Sequence, residues 1–295
     1  MSKLIRVVEV GPRDGLQNEK KNITLKTKQE LIAKLVKSGL KNIEVGAFVS
    51  PKWVPQMAGS TKLIHSVLKK HKSKTLKFSA LAPNARGMED ALNTNIKEVA
   101  IFGACTESFS QRNINCSIAE SFKRFEKVIQ LAKKNKIKVR GYLSVAFGCP
   151  YEGKVSEQKV IQLVKKMLKL GVYEVSIGDT IGVANPKQVD AFLKKLLKVV
   201  PKNKIAMHFH DTQDMALANV YVSLLQGIKT YDASVGGLGG CPYAKGASGN
   251  LATEDLVNML HSMGYKTGVK VSDLVAIRHY MSKKVGRVLP GKVTG

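Results

Sequence analysis

The 295-residue chain has no apolar run long enough to cross a bilayer. Stretches such as LSVAF at 143–147 fall far short of the roughly 20 residues that a spanning helix needs. The beginning, MSKLIRVVEVGPRDG, has neither the apolar centre of a secretory signal nor the Arg/Ser-rich character of a transit peptide, so the expected address is the cytoplasm. Cysteine is scarce: Cys105, Cys116, Cys149 and Cys241 show no CxxC spacing. That pattern argues against a thiolate zinc cluster and suits reduced thiols better than a disulfide framework. No GxSxG elbow precedes a helix, which leaves an acyl-transfer triad without support. Acidic residues are also few, 22 against 48 Lys and Arg, giving a net charge of +26.

Such a charge raises the question of a polyanionic partner. Aromatics make up only 6% of the chain, and the lysine pairs at 69–70, 133–134, 165–166, 194–195 and 283–284 lack the interleaved rings on which bases stack. A solvated lysine-rich surface is the expectation, with no nucleic acid as partner; a small phosphorylated substrate would still benefit from the field.

What the chain does have is alternation. Strand candidates at 4–10, 41–46, 75–81, 96–102, 137–147, 172–178, 203–209 and 229–235 are separated by helical-period segments. These lie at 27–38, 60–71, 84–94, 118–135, 156–170, 186–199, 215–226 and 253–263. The first has an apolar stripe of Leu31, Ile32, Leu35 and Val36, and Thr27 with Glu30 fits a capping box. Gly39, Gly171 and Gly227 suit left-handed helix ends. Eight βα units of about 30 residues match an α/β (β/α)8 TIM barrel, at about 4–263, with extra C-terminal helices over about 264–295, in a single catalytic domain over 1–295. A doubly wound sheet is the alternative, but no GxGxxG follows the first strand.

In a barrel, chemistry sits on the loops that follow the strands, and here those positions are polar. GPRDGLQNEK follows the first strand, Glu44 lies in the second, the sixth ends at Asp179, the seventh reads HFHD, and the eighth opens into GGLGGCPYAKGASGN. His208 and His210 are two apart, so on a strand they share one face, inward in a barrel. They are either a hydrogen-bonded core pair or two ligands of one metal. Closure of the barrel brings Asp14 and Asn250 beside them. Two imidazoles, a carboxylate and an amide oxygen suit Mg2+ or Mn2+ better than structural zinc. Arg13 reads either as the partner of an acid or as a clamp on a developing oxyanion. Glu44 and Asp179 are assigned supporting roles near Arg13 or a ligand histidine, and Gln17 is a further candidate for contact with substrate.

Taken together, VGPRDGLQNEK, HFHDT and GGLGGCPYAKGASGNLATED resemble the 3-hydroxy-3-methylglutaryl-CoA lyases, in the superfamily of metal-dependent aldolases and acyl-CoA lyases and synthases, over about residues 4–285. The resemblance implies a divalent-metal-dependent retro-Claisen cleavage of 3-hydroxy-3-methylglutaryl-CoA to acetyl-CoA and acetoacetate, as used in leucine catabolism and ketone-body formation. It further implies Asp14, His208, His210 and Asn250 as metal ligands, Arg13 as the enolate stabiliser and Cys241 as a loop thiol needed for full activity. Asp14 or His208 is the candidate base, and Cys241 or His208 the candidate proton donor. A homodimer or higher homo-oligomer is expected. The nearest rivals are the Claisen-condensing synthases of the same superfamily, which usually carry further C-terminal domains, and an aldolase acting without CoA.

Overall fold

The computed structural model describes residues 3–240 and 249–294. Eight parallel strands close into a barrel in chain order: β1 (Arg6–Glu9), β2 (Asn42–Ala47), β3 (Lys77–Leu81), β4 (Glu98–Ala104), β5 (Lys138–Ser144), β6 (Val175–Asp179), β7 (Ile205–Phe209) and β8 (Thr230–Ala233). Closure comes from β1 pairing with β8, where Arg6 stands opposite Thr230 and Val8 opposite Asp232. Each strand overlaps its expected segment, and the (β/α)8 architecture is the one the alternation implies. Because every strand is covered by helices outside and side chains inside, the strands are buried along nearly their whole length.

The outer ring is α1 (Leu25–Lys37), α2 (Ser60–Lys70), α3 (Ala85–Leu92), α4 (Glu107–Ile114), α5 (Ile118–Lys134), α6 (Glu157–Leu170), α7 (Pro186–Leu196), α8 (Ala216–Leu225) and α9 (Thr253–Ser262), followed by α10 (Val271–Val285). Among the described residues no helix is long and apolar enough to cross a membrane. In α1, Leu31, Ile32 and Leu35 are buried as the stripe requires, but the start differs from expectation. Thr24 is the cap, its hydroxyl accepting from the Thr27 N–H at 3.2 Å, so Thr27 lies inside the first turn. Glu30 instead accepts the hydroxyl hydrogen of Tyr280 on α10. The short α4 went unread because ESFSQRNI buries only Phe109 and Ser110 and shows no apolar stripe.

The chain beyond 264 forms one helix, α10, and then returns toward the loops around β8. Asp255 accepts from the N–H groups of Lys292 and Val293 at 2.9 Å, and Leu289 is buried. A Cβ on Gly236 would meet Leu289 at 2.7 Å, and one on Gly237 would meet Pro290 at 2.9 Å. The terminal segment is therefore fitted against the entrance of the glycine loop.

Candidate active site

After β1 the chain makes a single π-helical turn, Gly11–Gly15, in which the Gly15 N–H donates to the Val10 carbonyl at 3.1 Å. The buried Glu9 carboxylate fixes its entry: Oε1 accepts from the N–H groups of Gly11, at 2.8 Å, and Val235, at 2.9 Å, while Oε2 accepts the Thr253 hydroxyl at 2.6 Å. One side chain thus ties together the loops after β1 and β8. The turn delivers Arg13 and Asp14 to the barrel mouth. Arg13 is buried, with Nε and Nη2 at 3.0 and 2.9 Å from Glu44 Oε2 and Nη1 at 2.8 Å from Asp14 Oδ1. Glu44 also accepts the Tyr142 hydroxyl at 3.1 Å, and the Tyr142 ring lies 5.5 Å below the Arg13 guanidinium.

His208 on β7 and His210 just beyond it are buried, and their ring centroids are 5.2 Å apart. A ligand atom from each of them and one from Asp14 lie within 4.8 Å of one another. Asn250 closes the group: its Nδ2 donates to Asp14 Oδ2 at 2.9 Å and to the Leu238 carbonyl at 3.0 Å. Its Oδ1 and the His210 Nδ1 are buried without a hydrogen-bond partner. Buried polar atoms are normally paired, so these two mark a place where a further group fits. One carboxylate, two imidazoles and an amide oxygen, with no thiolate, form a donor set suited to a hard or borderline divalent cation.

Glycine is required where the loop after β8 meets this group. Gly239 has φ 115° and a Cβ there would lie 2.7 Å from Asn250 Nδ2, while Gly249 has φ 100° and a Cβ there would lie 2.3 Å from the Gly239 carbonyl oxygen. The two ends of the glycine loop therefore touch beside Asn250. Cys241, expected on that loop, lies outside the described residues.

The electrostatics divide these groups. Burial opposes charge on Asp14, but Arg13, then His208 and His210, outweigh it and hold the carboxyl down at about 2. Burial, reinforced by the neighbouring His208, lowers His210 to about 3, so its imidazole is neutral at physiological pH. For His208 burial also works against the cation, but Asp232 and Asp14 outweigh it and keep the ring above its ordinary value. Burial raises Glu44 despite Arg13.

The expected residues separate as follows. Arg13, Asp14, Gln17, His208 and His210 line one cleft that is partly open to solvent, and Asn250 bonds to Asp14. Glu44 supports Arg13 from below. Asp179 is turned aside: its oxygens accept the N–H groups of Val183 and Ala184 at 3.0 Å, and burial raises its carboxyl to about 6. The histidine's carboxylate neighbour is instead Asp232, 3.4 Å from His208 Nδ1. Asp232, Arg140, Tyr142 and Ser176 are interior groups that the sequence reading passed over. The available signal was a charged residue at the centre of a strand otherwise destined for burial, as in TYDA and KVRGYLS. Leu81, Phe102 and Phe109 also line the cleft.

The chain matches the HMGL-like family model over residues 4–281. It is 49% identical to the 3-hydroxy-3-isohexenylglutaryl-CoA/hydroxy-methylglutaryl-CoA lyase of Pseudomonas aeruginosa, over 93% of this chain and 91% of that one. It is 47% identical to the human mitochondrial hydroxymethylglutaryl-CoA lyase, over 99% of this chain and 89% of that one. The crystal structure of the Pseudomonas aeruginosa hydroxymethylglutaryl-CoA lyase superposes with a TM-score of 0.95 at 46% identity, covering 99% of this chain and 96% of the other. A lyase of Acinetobacter baumannii, solved with coenzyme A and 3-methylmalate, gives 0.93 at 34% identity, covering 99% and 94%. The chain belongs to the HMGL-like family.

Proposed function

We propose that the chain cleaves 3-hydroxy-3-methylglutaryl-CoA to acetyl-CoA and acetoacetate. The observation that carries this reading is the convergence of Asp14, His208, His210 and Asn250 at the mouth of a barrel whose relatives bear the name of that activity. Asp14, His208, His210 and Asn250 would hold a divalent cation, Mg2+ or Mn2+, which would supply Lewis-acid polarisation when bound.

The remaining work falls to side chains. Asp14 takes the proton of the C3 hydroxyl. The C3–O bond becomes the ketone of acetoacetate as the C2–C3 bond breaks, and its electron pair passes to the thioester as an enolate. Arg13 faces that developing negative charge. Its guanidinium is always protonated, and Glu44 and Asp14 fix its plane, so little reorganisation accompanies the reaction. The enolate carbon then takes a proton from Cys241.

Chelator-treated protein should lose acetyl-CoA and acetoacetate formation and regain both with Mg2+ or Mn2+. Cleavage that proceeds without metal overturns the proposal. The apolar residues Leu81, Phe102 and Phe109 favour a second reading in which branches longer than methyl are accepted at C3, as the name of the Pseudomonas aeruginosa relative states for that protein. Rates across a panel of 3-hydroxyacyl-CoA esters decide between a narrow and a broad substrate range.

A further inference from the structure

Below the site runs a column of buried charge. Arg6 on β1 pairs with Glu174, which accepts from Arg140 Nε on β5 at 2.8 Å. Arg140 then grips Asp232 on β8 with two nitrogens, Nη2 to Oδ1 at 2.8 Å and Nη1 to Oδ2 at 3.2 Å. Ser176 on β6 donates its hydroxyl to Oδ2 at 2.6 Å. Two cations and two anions balance, so the column is neutral without the histidine.

At its upper end the barrel register sets His208 on β7 opposite Asp232 on β8, and the two side chains fill one interior layer. His208 Nδ1 is buried, lies 3.4 Å from Asp232 Oδ2, and makes no hydrogen bond to any other described atom. Catalytic hydrogen bonds are often long in an unloaded site and tighten on loading. We propose that Asp232, clamped by Arg140 and Ser176, is the positioning residue of His208: it holds the proton on Nδ1, so that Nε2 is the nitrogen presented toward Asp14 and His210. Carboxylate–histidine pairs of this kind fix the tautomer and ring plane of metal-binding imidazoles.

Three donor contacts already engage Asp232, and although burial opposes its charge, Arg140 and His208 hold its carboxyl well below the usual carboxylate range. It orients the ring and does not take up its proton. On β6 the neighbour of His208 is Gly178; Asp179 stands one residue further along, opposite Phe209, and reaches His208 through its charge rather than by a hydrogen bond.

The inference rests on the metal-site reading above, and the test separates the two. Mn2+ binding is measured by calorimetry and electron paramagnetic resonance on wild type, D232N and the double variant R140M/D232N, whose second change removes the cation left unbalanced by the first. Loss of such an outer partner typically weakens metal binding by about 10- to 100-fold. That loss is expected in both variants, with the double variant recovering thermal stability but not affinity. If wild type binds no Mn2+, the metal-site reading fails and this inference with it. If wild type binds and either folded variant binds as tightly, the inference alone fails. Independently of any variant of the column, the 1H–15N spectrum of the metal-free wild type, recorded at a pH high enough for the ring to be neutral and with His208 assigned by difference from His208→Gln, should show the proton on Nδ1. A predominant Nε2–H form overturns the proposal even if neither column variant folds.

Discussion

Arg13 is 7% exposed, yet it carries its full charge, because Glu44 and Asp14 receive three of its nitrogen contacts between them. The planar fork serves both carboxylates at once, and the remaining donor surface faces the cleft. Lysine offers a point charge without that fork, so R13K is not a conservative change here. Its acetyl-CoA formation should fall by about 10²–10³ in kcat, the usual cost of losing one preorganised oxyanion donor. KM should move far less, because the contact proposed is with charge that appears only in the transition state. Steady-state rates over a range of acyl-CoA concentrations measure both, and a loss confined to KM would mean that Arg13 merely binds the ground state. E44Q is expected to lower kcat as well, since it leaves a buried guanidinium with one anionic partner, and removing one member of a buried pair costs about 3–5 kcal/mol of stability.

At the scale of elements, the loops after β1 and β8 are pinned by two acids that gain no cation strong enough to offset their burial. Glu9 is raised from its ordinary 4.5 to about 7, chiefly by burial against three hydrogen bonds that favour its charge. Glu254, which accepts the Gly236 N–H at 2.9 Å, is likewise raised by burial to about 7, with Arg278 3.5 Å away. Between pH 4.5 and about 7 the folded chain holds protons on these groups that the unfolded chain has released. Their contribution to stability is therefore present below the lower value and lost as pH rises through the upper one. E9Q cannot titrate, so its melting temperature should fall less steeply than that of wild type across this window. Parallel Tm–pH curves for the two proteins would refute the assignment.

Elements also show what the sequence could and could not say. Eight strands and the order of the loops were legible because β-branched runs alternate with 3.6-residue stripes, and a closed barrel follows from their number. The proximity of Asp14 to Asn250, 236 positions apart, was then a consequence of β1 meeting β8. Local choices were less legible. Thr24 and Thr27 both precede the apolar stripe of α1; Thr24 caps the helix, and Glu30 accepts from Tyr280 rather than reaching back to a cap. The choice of Asp232 over Asp179 beside His208 depended on a register offset of one residue, which flips a side chain to the other face.

For the whole molecule the unexplained quantity is the charge of +26. Arg13 pairs with Glu44 and Arg140 with Asp232 in the interior, whereas lysine pairs such as Lys69–Lys70, Lys133–Lys134 and Lys165–Lys166 lie exposed on the outer helices. Lys194, Lys195 and Lys292 do reach carboxylates, but exposed pairs of that kind contribute little. The exposed excess therefore acts as a field rather than as bonds, and a field of one sign raises the encounter rate of an oppositely charged ligand. An acyl-CoA carries phosphates and a carboxylate, so its capture should depend on salt. Between ionic strengths of about 0.01 and 1 M the screening length contracts from about 30 to 3 Å. Over that range kcat/KM for the acyl-CoA should decline progressively, while kcat at saturation stays nearly constant because the reacting atoms sit among buried groups. Initial rates at fixed metal concentration, with the ionic strength set by an inert salt, provide the measurement. A kcat/KM that is flat in salt would show that the lysine surface plays no part in bringing substrate to the barrel mouth, and a matching fall in kcat would place the salt effect inside the site instead.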